Sequence, residues 1–497
     1  MPSSASRTAV LTLDIGTSST RSLLYDVATC AAVPDIVATH AHQPHVTPDG
    51  GSTLDADAIV EEAVSCLEEV LEQAKDWTIV GVAVCTFWHS FLGVRANGHA
   101  RTPILLWADR RSAPQVAELR ERLDVPAYSQ RTGCPLHVSF PPGRLLWLQE
   151  NDPGAFTESA RFMSPGEYLF SRLFGPEKVT CGVSMASGSG LWNARERGWD
   201  EETLKALGDL DASRFSPVGD APATGLIAPY RERLEAVAEV PWFPAVGDGA
   251  SSNIGCGATE PHQIALMIGT SAALRVTLPQ SEPPTVPPGL WRYQASEERY
   301  LIGGALSNGG SVWAWLHKTL NFGELTDDTI EAQIAALPPD GHGLTVLPFF
   351  SGERAPLWRD ELTATIHGIS AATTTTQIAR AHLEAVALRL AAVREAMRAV
   401  APRADIIGTG AGLLASPPWA QMIADAIGEP IRLSEEEQAS SRGAALLARE
   451  RLGLGNVQDA PPVPVVGQAD PHPAHTDIYK KAAERQAKLL ETLWGSH

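Results

Sequence analysis

Basic residues are in short supply in this chain: 39 lysines and arginines stand against 58 aspartates and glutamates, a net charge of −19 over 497 residues. That balance argues against nucleic acid or an anionic membrane as a partner, since both need a basic footprint. A small diffusible ligand suits it better, and an anionic ligand would need a local cationic pocket to hold it against the overall field. Cysteine is sparse too. The six thiols, Cys30, Cys66, Cys85, Cys134, Cys181 and Cys256, include no Cys-x-x-Cys pair, so they suggest neither a zinc site nor a disulfide framework and read as reduced. No segment is long and apolar enough to span a bilayer. The opening residues Met1 to Arg7 lack the apolar stretch of a secretory signal. These absences point to a cytoplasmic protein of globular composition, long enough for two or more domains.

What is present is one device used twice. Ile15-Gly16-Thr17-Ser18 recurs as Ile268-Gly269-Thr270-Ser271, each copy between apolar runs. Each reads as strand, tight polar turn, strand, and a turn exposing N–H and hydroxyl donors suits a phosphate. Two such hairpins facing each other could clamp one polyphosphate. The copies differ in one place: Asp14 precedes the first turn, whereas Met267 holds the matching position in the second. Only the first can bring a carboxylate to a metal, and Mg²⁺ is typically held by one or two carboxylates together with substrate phosphates.

Between and after the hairpins the pattern is α/β. Ala56 to Ala74 carries Val60, Val64, Leu67 and Leu71 at helical spacing, and Val80 to Phe87 reads as a buried strand. Phe87 to Trp199 is expected to be a loop-rich insertion able to house a substrate pocket. Gly247-Asp248-Gly249 forms a turn, and a boundary near Gly257 divides the chain into 1–257 and 258–497. Gln377 to Val400 is the clearest helix, with candidate N-caps at Thr373 to Thr376. Ile406 to Leu414 reads as a strand running into Gly-Ala-Gly, with a helix from Trp419 to Ile427 after it, a plausible nucleotide seat. The Pro-rich stretch Asp459 to Pro473 is expected to be irregular.

Two longer segments carry a family resemblance. Ser139-Phe-Pro-Pro-Gly-Arg144-Leu-Leu-Trp147-Leu-Gln-Glu150-Asn151 resembles the first signature of the FGGY carbohydrate kinases, with Arg144 where Lys is usual. Ala364-Thr-Ile366-His-Gly368-Ile369, with Gln377 to Glu384, resembles the second, with His382 departing from a small or aliphatic position. The resemblance implies two RNase H-like domains, of the actin and hexokinase ATPase type, with a cleft between them. Within the family, Thr132 to His137, Asp248 to Asn253, Ser307 to Gly310 and Gly352 to Trp358 are most similar to gluconate kinases. Trp88-His89-Ser90 matches Met-His-Gly or Met-His-Ser, and Trp107-Ala-Asp109-Arg-Arg111 matches Trp-x-Asp-x-Arg. Thr363-Ala364 and Ala411 depart from Arg-Gly and Gly, respectively.

The resemblance puts Asp248 at the catalytic aspartate, the proton acceptor for a substrate hydroxyl, and Asp14 on the metal side with Mg²⁺. It assigns ATP phosphates to Gly16, Thr17, Ser18, Arg21, Gly269 and Thr270, and adenosine to Ala411, Gly412 and Ser416, with Gln421 at its edge. Gly443-Ala444-Ala445 suits either the same wall or a close helix crossing. Trp88, His89, Asp109, His137 and Arg354 are the substrate candidates, with Arg111 and Arg144 as further cations. The expected reaction is ATP-dependent phosphorylation of a sugar or sugar acid, D-gluconate to 6-phosphogluconate first among them. Xylulose, ribulose or another polyol is the alternative acceptor, and a non-catalytic nucleotide or sugar sensor the alternative from another class. A homodimer is left open.

Overall fold

The computed structural model describes residues 7–495. Two sheets organise them. The first is five-stranded, built from β1 (Arg7–Ile15), β2 (Ser19–Asp26), β3 (Ala32–Ala41), β4 (Trp77–Thr86) and β5 (Trp242–Gly247) in the order β5-β4-β1-β2-β3. β1, β2 and β3 run antiparallel in succession, whereas β4 joins β1, and β5 joins β4, in parallel. The second sheet repeats this plan. β6 (Gln263–Ile268) and β7 (Ala272–Pro279) form its hairpin, flanked by β8 (Trp291–Ser296) and β9 (Arg299–Leu306) on one side. β10 (Asp405–Thr409) and β11 (Ile431–Ser434) extend it in parallel on the other, and β12 (Val465–Ala469) closes the edge antiparallel to β11. The central strands of both sheets are near-continuous apolar runs because helices cover their faces.

Helix α1 (Ala56–Gln73) buries Ile59, Val60, Ala63, Val64, Leu67 and Val70, and Asp55 caps its N-terminus by accepting from Ala58 N. The long helix expected at Gln377 runs from Thr375 to Met397, with a reciprocal capping box between Thr374 and Gln377 and with Leu383, Val386, Leu390, Val393 and Met397 buried.

Two expectations fail. The stretch after Phe87 is not loop-rich: it holds helices at Ala113–Arg122, Val125–Thr132, Pro141–Asn151, Pro153–Glu158 and Pro165–Phe174. The first four, with short strands, build a hydrophobic core of their own that includes Phe91, Leu119, Tyr128, Phe162 and Phe215, whereas Pro165–Phe174 packs into the main core through Tyr168, Leu169, Phe170, Leu173 and Phe174. Each of these helices has Pro in its first two positions, where the missing N–H is no loss. Likewise 459–473 is not wholly irregular, because β12 starts directly after Pro464, as an edge strand that needs fewer N–H donors.

The halves are locked by a helix crossing. α2 (Asp248–Gly255) packs against α5 (Ala439–Arg451), with α3 the long helix Thr375–Met397 and α4 Pro417–Ile427 between them in the chain. A methyl at Gly443 would sit 1.8 Å from the Ser251 carbonyl oxygen, and one at Gly255 1.8 Å from that of Ala439. Ala444, Ala445 and Ala448 then reach the first sheet at Val10, Ala83 and Phe243. The small residues of 443–445 therefore serve the crossing. No helix among the described residues is long and apolar enough to cross a membrane.

Candidate active site

The repeated turns close differently: Gly16 N donates to Ser19 O, three residues on, and Gly269 N to Ser271 O, two residues on, both at 2.9 Å, so the second loop is one residue tighter. The second turn is backed by the segment the sequence marks as Ser307 to Gly310. Gly310 N and Ser311 N donate to the carbonyls of Gly269 and Thr270, and a side chain at Gly309 or Gly310 would strike that hairpin at 2.5 or 2.6 Å. Glycine is required there by the close approach of two backbones.

Both hairpins reach one cavity of about 130 Å³. Thr17 comes from the first and Met267 and Ser271 from the second, and between them stand Trp88, His89, Asp248, Arg275, Tyr293 and Arg354. β5 ends at Gly247, so Asp248 opens α2 with its carboxylate accepting from Gly249 N at 2.7 Å and from the backbone of Trp88. The Trp88 indole lies flat across this turn. A Cβ at Gly247 would be 1.9 Å from it and one at Gly249 2.7 Å, so the glycines around Asp248 are the space the tryptophan occupies. Its Nε1 donates to Ser184 O at 2.9 Å, and its ring packs on Tyr293.

His89 sits beside it at φ +64°, a left-handed conformation that costs about 1–3 kcal/mol in a non-glycine residue. Nδ1 is 2.6 Å from Gly188 O and so carries the proton. Burial pulls the ring down to about 3, leaving a neutral imidazole with Nε2 as an acceptor. Arg144 holds this strained residue by donating to the carbonyls of His89, Ser139, Leu105 and Leu106. It is a clasp for the insertion, so the expectation of a substrate cation at Arg144 is corrected.

Two carboxylates and two guanidiniums set the electrostatics. Burial, then the neighbouring charge of Asp248, pushes the Asp14 carboxyl up to about 6, against the pull of Arg21. Burial also raises Asp248, while Arg275 and Arg354 hold it down. Arg275 and Arg354 are themselves buried, and among the described residues neither closes an ion pair. Arg354 Nε and the Tyr293 hydroxyl are buried without a partner, while the adjacent Glu353 pairs with Arg389. Arginines left unpaired inside a cavity await an anion.

Other sequence candidates lie outside the cavity wall. Asp109 is buried against Arg111 at 2.6 Å and Ser52 N at 3.1 Å, and Arg111 stacks over Trp147. His137 faces Asp360 at 2.6 Å and Trp358 edge-on. Arg21 donates to Gln438 at 2.6 Å, tying the first hairpin to the start of α5. Gln421 donates to Asp425 Oδ1 at 3.0 Å and Asp470 O at 2.7 Å. Ala411, Gly412 and Ser416 follow the carboxyl end of β10, where open parallel sheets seat ligands. Gly410 (φ +95°) and Gly412 approach Ile268 closely, so this loop abuts the second hairpin. Arg275, Trp291 and Tyr293 were missed, although a lone arginine inside the apolar strand that follows the repeated turn is a readable signal.

Two matched α/β halves, each presenting a hairpin to a pocket that holds a carboxylate, define a phosphotransferase fold of the actin and hexokinase type. The chain belongs to the FGGY family of carbohydrate kinases, whose N-terminal domain matches residues 9–255 and whose C-terminal domain matches 264–449. It is 26% identical over 460 residues to a gluconokinase from Bacillus licheniformis, covering 89% of this chain and 88% of that one. The gluconate kinase structure from Lactobacillus acidophilus superposes with a TM-score of 0.89 at 24% identity over 98% of each chain. The ligand-bound xylulose kinase from the same organism does so with 0.90 at 25%, over 98% of this chain and 99% of that one. The protein is accordingly a phosphotransferase acting on a sugar hydroxyl.

Proposed function

We propose that the chain transfers the terminal phosphoryl group of ATP to D-gluconate, giving 6-phosphogluconate. The observation that carries the choice of a sugar acid is the pair of unpaired buried arginines, Arg275 and Arg354, in the cavity of Asp248. Asp248 offsets one of the two charges, so a neutral polyol would leave a net positive cavity, whereas a sugar carboxylate supplies the second anion. His89 Nε2 accepts from a substrate hydroxyl, and Trp88 supplies an apolar wall.

With the sugar seated, Asp248 accepts the proton of the attacking hydroxyl as its oxygen bonds to the terminal phosphorus and the bond to the β-phosphate oxygen breaks, releasing ADP. The hairpin donors at Gly16, Thr17, Ser18, Gly269 and Thr270 orient the phosphates, and adenosine rests against Ala411 and Gly412 with Ser416 behind. Asp14 fits the metal side, because a carboxyl destabilised by the charge of Asp248 gains from a divalent oxygen-seeking cation. Mg²⁺ bound there would neutralise the phosphate oxygens.

A ketopentose is the second reading, favoured by the likeness to xylulose kinase. A coupled ADP-release assay over gluconate, xylulose, ribulose, glycerol and erythritol decides. Gluconate should show the highest kcat/KM, and preference for an uncharged acceptor would reject the sugar-acid reading.

A further inference from the structure

Outside the cavity of Asp248, α4 faces the last helix, α6 (Pro473–Trp494). Asp425 of α4 is 3% exposed, yet its only ion-pair partners among the described residues are two histidines at the start of α6. His472 Nδ1 lies 3.1 Å from Oδ1 and His475 Nδ1 2.8 Å from Oδ2. The three donor atoms fall within 4.8 Å of one another. We propose that Asp425, His472 and His475 form a binding site for a divalent transition metal of the zinc class, independent of the phosphotransfer centre.

Three observations support it. A buried carboxylate normally takes a lysine or arginine, and this one has none, so its countercharge must come from protonated imidazole or from a cation. The contrast is a second cluster, Asp340, His342 and Glu384, in which Arg380 binds Glu384 at 2.6 Å and Arg485 binds Asp340, leaving no charge to compensate. Secondly, Gln421 Nε2 has two hydrogens but faces three acceptors: Asp470 O at 2.7 Å, Asp425 Oδ1 at 3.0 Å and His472 Nδ1 at 3.2 Å. When Nδ1 of His472 is unprotonated, its lone pair meets that of Asp425 Oδ1, and a cation between them resolves the conflict. Thirdly, the carboxylate is already oriented by Gln421 and by the backbone N–H of His472 at 2.7 Å, as the outer partners of a metal ligand orient it.

Two imidazoles and one carboxylate suit Zn²⁺ over Mg²⁺ or Ca²⁺. The side chain of His472 is 59% exposed and that of His475 36%, so the fourth tetrahedral position opens to solvent and takes water. Bound metal would clip α6 to the helix that leads away from the Gly410–Gly412 loop, stiffening the nucleotide half.

The test uses the full chain, freed of metal with a chelator and titrated with Co²⁺ and then Zn²⁺. One equivalent of Co²⁺ should give the intense visible absorption of a tetrahedral centre. Zn²⁺ should bleach it and raise the melting temperature, and chelator should reverse the rise. His472→Ala and His475→Ala, both at exposed side chains, should each lose the band and the shift while keeping Mg²⁺-dependent turnover, and Asp425→Asn should do the same. Absence of the tetrahedral band, or a band unchanged in both histidine variants, would overturn the proposal and leave only hydrogen-bonded side chains.

Discussion

Asp14 is held in its ionised form at a cost, so Asp14→Asn should stabilise the protein while disabling it. The carboxyl rises from an ordinary 3.8 to about 6, first through burial and then through the charge of Asp248. At about 1.4 kcal/mol per unit, keeping the charge costs at most about 3 kcal/mol. Asp14 is only half-buried, and solvent screening reduces the figure to about 1–2 kcal/mol. The sign follows from proton binding. A native carboxyl titrating above its unfolded value binds more protons than the unfolded chain between about pH 4 and 6, so stability is greatest below that window and falls as pH rises through it. Asparagine has no such dependence. At pH 8 the variant should therefore melt about 1–4 °C higher than the parent, and the gap should close as pH falls from about 6 to 4. Adding Mg²⁺ with ADP should raise the parent's melting temperature more than the variant's, and turnover should be lost. Thermal melts across pH, beside a coupled ADP-release assay, read all of this. A variant that melts at or below the parent at pH 8, or a gap that does not change with pH, would refute the reasoning.

Other outcomes follow from the same geometry. Arg275→Met and Arg354→Met should each raise KM for gluconate roughly 10–100-fold by removing a charge-assisted bond, with a much smaller effect on a neutral polyol; equal losses on both substrates would place the arginines elsewhere in the reaction. Gly443→Ala should cost about 1–3 kcal/mol by overpacking the α2–α5 crossing, read as a fall of several degrees in melting temperature; an unchanged melt would mean the halves part freely.

How far the chain announces this arrangement varies with the kind of signal. Local signals read well where neighbours in sequence suffice, as in the duplicated Ile-Gly-Thr-Ser turn and the capped periodic helix at 375–397, whereas Gly247-Asp248-Gly249, read as a turn, is the junction of a strand and the helix that Asp248 opens. Proline misled in both directions, opening helices in the insertion and preceding the edge strand at Val465. Tertiary partners were the larger gap. Nothing near His137 shows that Asp360 would face it. Arg275 hid in a strand whose other residues look like plain core, because the cavity it lines forms only when the second sheet meets Asp248 across the cleft.

The most direct test of the central claim, that Asp248 takes the proton of the acceptor hydroxyl, is the turnover of purified Asp248→Asn with saturating Mg²⁺-ATP and gluconate. A loss of about 10²–10⁴-fold in kcat, with ADP binding preserved, is expected. Near-normal turnover would contradict it.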